Sequence, residues 1–111
     1  MEEPLRMTKL RKSMDYKLYW SEESIENLKT ILDEIKFMWS DKEVNIFKEK
    51  LSHQLDLIIQ YPYMFPRSNY NQRLRKAVLS KQTTIFYEIK DSIIYLAFLH
   101  LNKKDVNRIK D

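Results

Sequence analysis

Not one of the 111 residues is glycine. Glycine reaches left-handed backbone conformations without steric cost and lets a backbone approach a bound phosphate closely. A phosphate-cradling loop or a dinucleotide fingerprint is therefore excluded, and with it the nucleotide enzymes built on such loops. Tight turns must be made from residues that carry side chains, and Ser80-Lys81-Gln82 and Lys90-Asp91-Ser92 are the candidates. These turns delimit the strongest pattern in the chain. Ile85, Phe86, Tyr87 and Ile89 form one β-branched and aromatic run, and Ile93 through Leu99 form the next. With Arg73 to Leu79 ahead of the first turn, they predict a three-stranded antiparallel meander whose middle and last strands are buried on at least one face.

Upstream, Tyr16, Leu18 and Trp20 alternate with Lys17 and Tyr19, which predicts a strand opening at Met14 with one buried face. Ser21-Glu22-Glu23 then supplies a capping hydroxyl and two carboxylates where a helix dipole favours them. Ile25, Leu28, Ile31, Leu32, Ile35 and Trp39 recur at helical spacing, so the helix runs to about Trp39. A second start follows at once, because Ser40-Asp41-Lys42-Glu43 has the Ser-x-x-Glu form of a capping box. Val44, Phe47, Leu51, Leu55 and Ile58 carry this helix to about Gln60, and Tyr61-Pro62 ends it. Two helices joined at so tight a corner pack antiparallel, against each other and against the sheet. The expected class is α+β: an N-terminal strand, an antiparallel helical hairpin and a three-stranded meander, with room for a short C-terminal helix. One domain spans 14–111, preceded at 1–13 by a basic arm (Arg6, Lys9, Arg11, Lys12) without sustained apolar periodicity.

Composition narrows the chemistry further. Cysteine is absent, so a thiol nucleophile, a disulfide framework and a cysteine metal site are ruled out; histidine occurs only at His53 and His100, too few to favour a histidine-rich metal site, and no cofactor is implied. The net charge of +4 suits nucleic acid or an acidic protein segment and selects neither. No apolar run is long enough to cross a bilayer and the N-terminus lacks an apolar signal core, so a cytoplasmic protein without a membrane partner is expected. His53 lies off the apolar stripe and reads as a surface residue. The adjacent carboxylates Glu22/Glu23 and Asp33/Glu34 diverge on a helix and serve capping and solvation rather than acid–base work.

Between the second helix and the meander lies YPYMFPRSNYN, residues 61–71, a proline-punctuated loop. It reads equally as a functional loop or as a plug in which Tyr63, Met64 and Phe65 fold over one end of the core. On the strand that follows, Arg73, Arg75 and Ala77 are expected on one face and Leu74, Lys76 and Val78 on the other. Arg75 then stands where it can pair with phosphate or with an acidic partner.

This order of elements, together with several short motifs, resembles the RelE/ParE superfamily of toxins from bacterial type II toxin–antitoxin modules. The motifs are Tyr-x-Leu-x-Trp-Ser at Tyr16 to Ser21, Tyr61-Pro62, Leu74-Arg75, Phe86-Tyr87-Glu88-Ile89, and Leu99-His100 followed by Lys103, Lys104 and Asp105. The resemblance spans Met14 to about Arg108. It implies one of two activities. RelE-like members cut mRNA on the ribosome with basic residues on the sheet and a late basic or aromatic group. ParE-like members inhibit DNA gyrase and are not nucleases. In nuclease terms Arg75, His100 and Lys103 are the candidate catalytic residues, with Lys104 an alternative to Lys103. Ala77 and Thr83-Thr84, however, stand where the nucleases keep cations. A histidine ending an apolar strand is also more often structural. The ParE-like reading leads; the nuclease reading and a toxin fold without activity remain open. Either active reading implies a cognate antitoxin in a toxin–antitoxin complex. Arg73, Arg75, Lys76, Lys81, Lys103 and Lys104 are the expected contacts to target or antitoxin.

Overall fold

The computed structural model describes residues 16–101. The elements in order are β1 (Lys17–Trp20), α1 (Glu22–Met38), α2 (Asp41–Gln60), β2 (Arg75–Val78), β3 (Thr83–Lys90) and β4 (Ile93–Leu101). They form the expected α+β arrangement. The basic arm, Lys103, Lys104 and the C-terminal helix expected from the sequence lie outside the described residues.

Both helix starts follow from the sequence. Ser21 Oγ accepts the Ser24 N–H at 3.0 Å, and Ser40 Oγ accepts the Glu43 N–H at 3.3 Å. Inside α1, Ile31 is fully buried and Leu28, Leu32 and Ile35 pack beside it. Two residues assigned to that stripe fall outside it. Ser24 takes the inward position in the first turn, donating to the Ser21 carbonyl, so Ile25 turns outward; Trp39 is the residue beyond the helix end and is exposed. In α2 the inward residues are Phe47, Leu51 and Ile58.

The sheet order is β1-β4-β3-β2, with β1 parallel to β4 and the other pairs antiparallel. Strand β2 is shorter than the sequence pattern suggests, because Leu74 belongs to the loop: its N–H bonds Asn71 O and its carbonyl accepts the Ser68 N–H. Between β3 and β4 the turn is two residues, Asp91 and Ser92, closed by the Lys90–Ile93 pair. Asp91 adopts φ 58° there, a left-handed conformation that aspartate tolerates better than most residues with a side chain.

One irregularity decides which way β4 faces. Phe86 pairs with Phe98 but Tyr87 pairs with Leu96, so Ala97 is an extra residue, a β-bulge. Ile94 and Leu96 point to the helices before the bulge, and Leu99 does so after it. Strict alternation would have turned Phe98 inward and Leu99 outward. The bulged stretch also lies beyond the end of β1, where among the described residues β4 has no neighbouring strand on that side. Side chains of the α1 segment take the strand's place: Ser21 Oγ donates to Ala97 O at 2.7 Å and Asn27 Oδ1 accepts the Leu99 N–H at 2.9 Å. The core therefore lies between the helices and one sheet face, with Ala77, Ile85, Tyr87, Ile94, Leu96 and Leu99 opposing Ile31, Phe47, Leu51 and Ile58.

Candidate functional site

Among the described residues no element covers the other sheet face, and the strand register sorts its side chains into rows. Lys76, Phe86 and Phe98 lie side by side across β2, β3 and β4; Val78, Thr84 and His100 form the next row. Glu88, Tyr95 and Tyr19 form a third row that reaches β1. The face is aromatic. Phe86 and Phe98 stack at 4.7 Å with an interplanar angle of 22°, Tyr70 meets Phe98 edge-on at 6.5 Å, and Tyr19 meets Tyr95 edge-on at 5.4 Å. The sequence runs gave both β3 and β4 a buried face, but the opposite pleat, Thr84-Phe86-Glu88 and Tyr95, was legible as a second surface only from its period-two alternation.

The cations assigned to this rim divide between the two faces. Lys76 stands on the open face and Lys81 is exposed in the β2–β3 turn. Arg73, outside β2, reaches Glu88 on the open face at 3.8 Å. His100 is exposed, at the open-face end of β4, rather than packed into the structure as a strand-ending histidine would usually be. Arg75 is elsewhere. It pairs in register with the fully buried Tyr87, so it projects toward the helices together with Ala77, as the alternation predicts. The shared face with Arg73 that the alternation also predicts is lost because β2 starts only at Arg75.

There the Arg75 guanidinium is bound by the loop between α2 and β2. Its Nη1 donates to Phe65 O at 2.7 Å and to Tyr63 O at 3.4 Å, and its Cζ lies 5.0 Å from the centre of the Tyr63 ring. The Tyr87 hydroxyl donates to Pro62 O at 2.6 Å, and Phe65 packs edge-on against the Tyr87 ring at 6.4 Å. Burial pushes the Tyr87 phenol well above its ordinary value, with the Arg75 charge pulling weakly the other way. Tyr16 is raised as well, first by burial and then by the neighbouring Tyr63. The plug expectation for this loop holds in part: Phe65 packs against the core, while Tyr63 and Met64 remain exposed. Further along, residues 66–68 run beside β2: Lys76 N–H bonds Pro66 O, and Arg67 bridges Arg75.

A second surface lies at the helical corner. A groove of about 340 Å³ runs between the end of α1, the start of α2 and the β2–β3 turn, lined by Ile35, Met38, Trp39, Phe47 and Leu101 with Glu43 and Lys50 at its rim. Phe37, beside it, is 91% exposed. Among the described residues no group of His, Cys, Asp or Glu could hold a metal ion, and no helix is long and apolar enough to cross a membrane.

Comparison with solved structures finds the same architecture. A chain of the chromosomal ParDE toxin–antitoxin system from P. aeruginosa matches with a TM-score of 0.68 at 14% identity, over 78% of this chain and 95% of that one. The chain has the RelE/ParE toxin fold. The E. coli DinJ–YafQ toxin–antitoxin complex matches at TM-score 0.57 and 12% identity, covering 81% and 96%. YafQ from E. coli strain BL21(DE3) matches at TM-score 0.54 and 13% identity, covering 80% and 96%. No protein-family model and no curated sequence matches. In this RelE/ParE fold the open sheet face is bordered by cations; Arg75 is turned to the helix side, while Arg73 remains 78% exposed beside Glu88.

Proposed function

We propose that the chain is the toxin of a type II toxin–antitoxin module and acts in the ParE-like manner. It arrests growth by docking on a protein target, DNA gyrase in the terms of the resemblance, and a cognate antitoxin neutralises it. The observation that carries the choice of mechanism is the placement of Arg75. Cleaving RNA requires cations around the reacting phosphate and a group that moves a proton. Arg75 instead projects to the helix side, its Nη1 held by Phe65 O and Tyr63 O, and the neighbours of His100 across the strands are Thr84 and Val78. The fold likeness to the ParDE chain supports the toxin assignment. Lys76, Lys81 and Arg73, with Lys103 and Lys104, are proposed to meet the acidic segment of an antitoxin, and the apolar groove at the helical corner suits an amphipathic one.

One observation favours a second reading. His100 is exposed on the same face as the stacked Phe86 and Phe98 rings, an arrangement on which RNA bases could stack beside a proton-transfer group. Two assays separate the readings. Purified chain added to ribosomes and message leaves transcripts intact, and added to gyrase it inhibits supercoiling. Cut transcripts with unimpaired supercoiling would reverse the assignment, and unaffected growth on expression without antitoxin would leave only an inactive toxin fold. Under either active reading Arg75→Ala lowers toxicity.

A further inference from the structure

The segment Tyr61–Phe65 combines two properties that are seldom found together. Tyr61, Tyr63 and Met64 are each more than half exposed, Tyr63 at 61%. Yet the segment is held from three sides. The Tyr87 hydroxyl takes Pro62 O, Arg75 takes the carbonyls of Tyr63 and Phe65, and the Met64 N–H closes a turn onto Tyr61 O. The Tyr63 ring itself is held by the Arg75 guanidinium, whose Cζ lies 5.0 Å from its centre. Phe65 alone would be enough to plug this end of the core. Immobilising exposed rings adds little to stability, but it lowers the ordering cost of a later contact, and tyrosine and methionine are enriched in the centres of protein interfaces.

We propose that Arg75 and Tyr87 are positioning residues that hold Tyr61, Tyr63 and Met64 as a preformed docking surface for an apolar recess on the toxin's protein target. This rests on the toxin reading above. A protein recess is favoured over nucleic acid because the exposed groups are uncharged and the one cation in the cluster lies behind the Tyr63 ring, engaged by carbonyls. Arg75 then acts through the loop and not by touching the target.

The buried phenol makes the idea testable, since Tyr87 has no exposed surface and can affect a partner only through what it holds. Tyr87→Phe, Arg75→Ala, Arg75→Lys and Tyr63→Ala are compared with the unaltered full chain by amide exchange across residues 61–66 and by the concentration that half-inhibits gyrase supercoiling. Ile31→Val, a core change on α1, serves as the control for general destabilisation. Tyr87→Phe and Arg75→Ala are expected to speed exchange in the loop and to raise the inhibitory concentration about tenfold, the scale of a lost interface hot spot. Arg75→Lys restores part of both. Tyr63→Ala raises the inhibitory concentration while exchange in the α2 core stays unaltered, and Ile31→Val leaves inhibition unaltered. Faster loop exchange with full inhibition in Tyr87→Phe would overturn the proposal. So would lost inhibition in Arg75→Ala with the loop still protected, which would make Arg75 a direct contact. An unaltered chain that inhibits neither gyrase nor growth would instead remove the toxin reading, and the docking role with it.

Discussion

Replacing Ser21 by alanine tests how the helical layer is fastened to the sheet. Its hydroxyl has two tasks, accepting the Ser24 N–H as the cap of α1 and donating to Ala97 O in the bulge of β4. Loss of a capping hydroxyl costs about 1 kcal/mol. The Ala97 carbonyl is left without that donor in a partly buried place, which adds roughly 1–2 kcal/mol. Ser21→Ala is therefore expected to destabilise the fold by about 2–3 kcal/mol, on the order of 10 °C in Tm for a domain of this size. Ser40→Ala is the internal comparison, because Ser40 caps α2 through an exposed bond of 3.3 Å and has no sheet contact assigned to it; it should cost about 0.5–1 kcal/mol. Urea unfolding followed by circular dichroism gives both values, provided the slopes agree. Equal losses in the two variants would show that the Ser21–Ala97 bond contributes nothing, and the account of how the bulge is stabilised would fail.

Three further outcomes are expected. Tyr87 holds its proton more tightly when folded than when unfolded, so the unfolded state loses that proton first as pH rises past the ordinary value of 10.0. Stability should then fall by up to about 1.4 kcal/mol per pH unit above roughly pH 10. Tyr87→Phe should flatten that alkaline slope in urea titrations, and an unchanged slope would contradict the burial argument. His100→Gln should abolish transcript cleavage if the nuclease reading holds; primer extension on ribosome-bound message, showing no cuts with either protein, would support docking. Arg73→Ala breaks an ion pair at 3.8 Å whose arginine is 78% exposed, so the urea midpoint should register less than about 0.5 kcal/mol; a loss above 1 kcal/mol would mean that Arg73 does more than meet Glu88.

The helices and their caps were legible because each signal is local: a serine three residues ahead of an N–H, an apolar stripe at a fixed period. The meander was legible for the same reason, and so was its first turn at Ser80. The bulge was not, since Ile93 through Leu99 is apolar throughout and nothing in such a run says where alternation slips by one. The site was read less well than the fold. Arg75 was found by its type and position on β2, but its occupation depends on carbonyls ten and twelve residues earlier, which carry no side-chain signature. The pairing of β1 with β4 is a contact across most of the chain and leaves no local signal in either strand.

That pairing bears on synthesis. The strand that sits between β1 and β3 is the last of the described elements to be made, and until it arrives the opening strand has no partner and the helices have only part of a surface to cover. A nascent chain can form its helices early, because they are local, but not the layered body they belong to. Any activity that needs the layered body is thereby postponed until translation has passed Leu101.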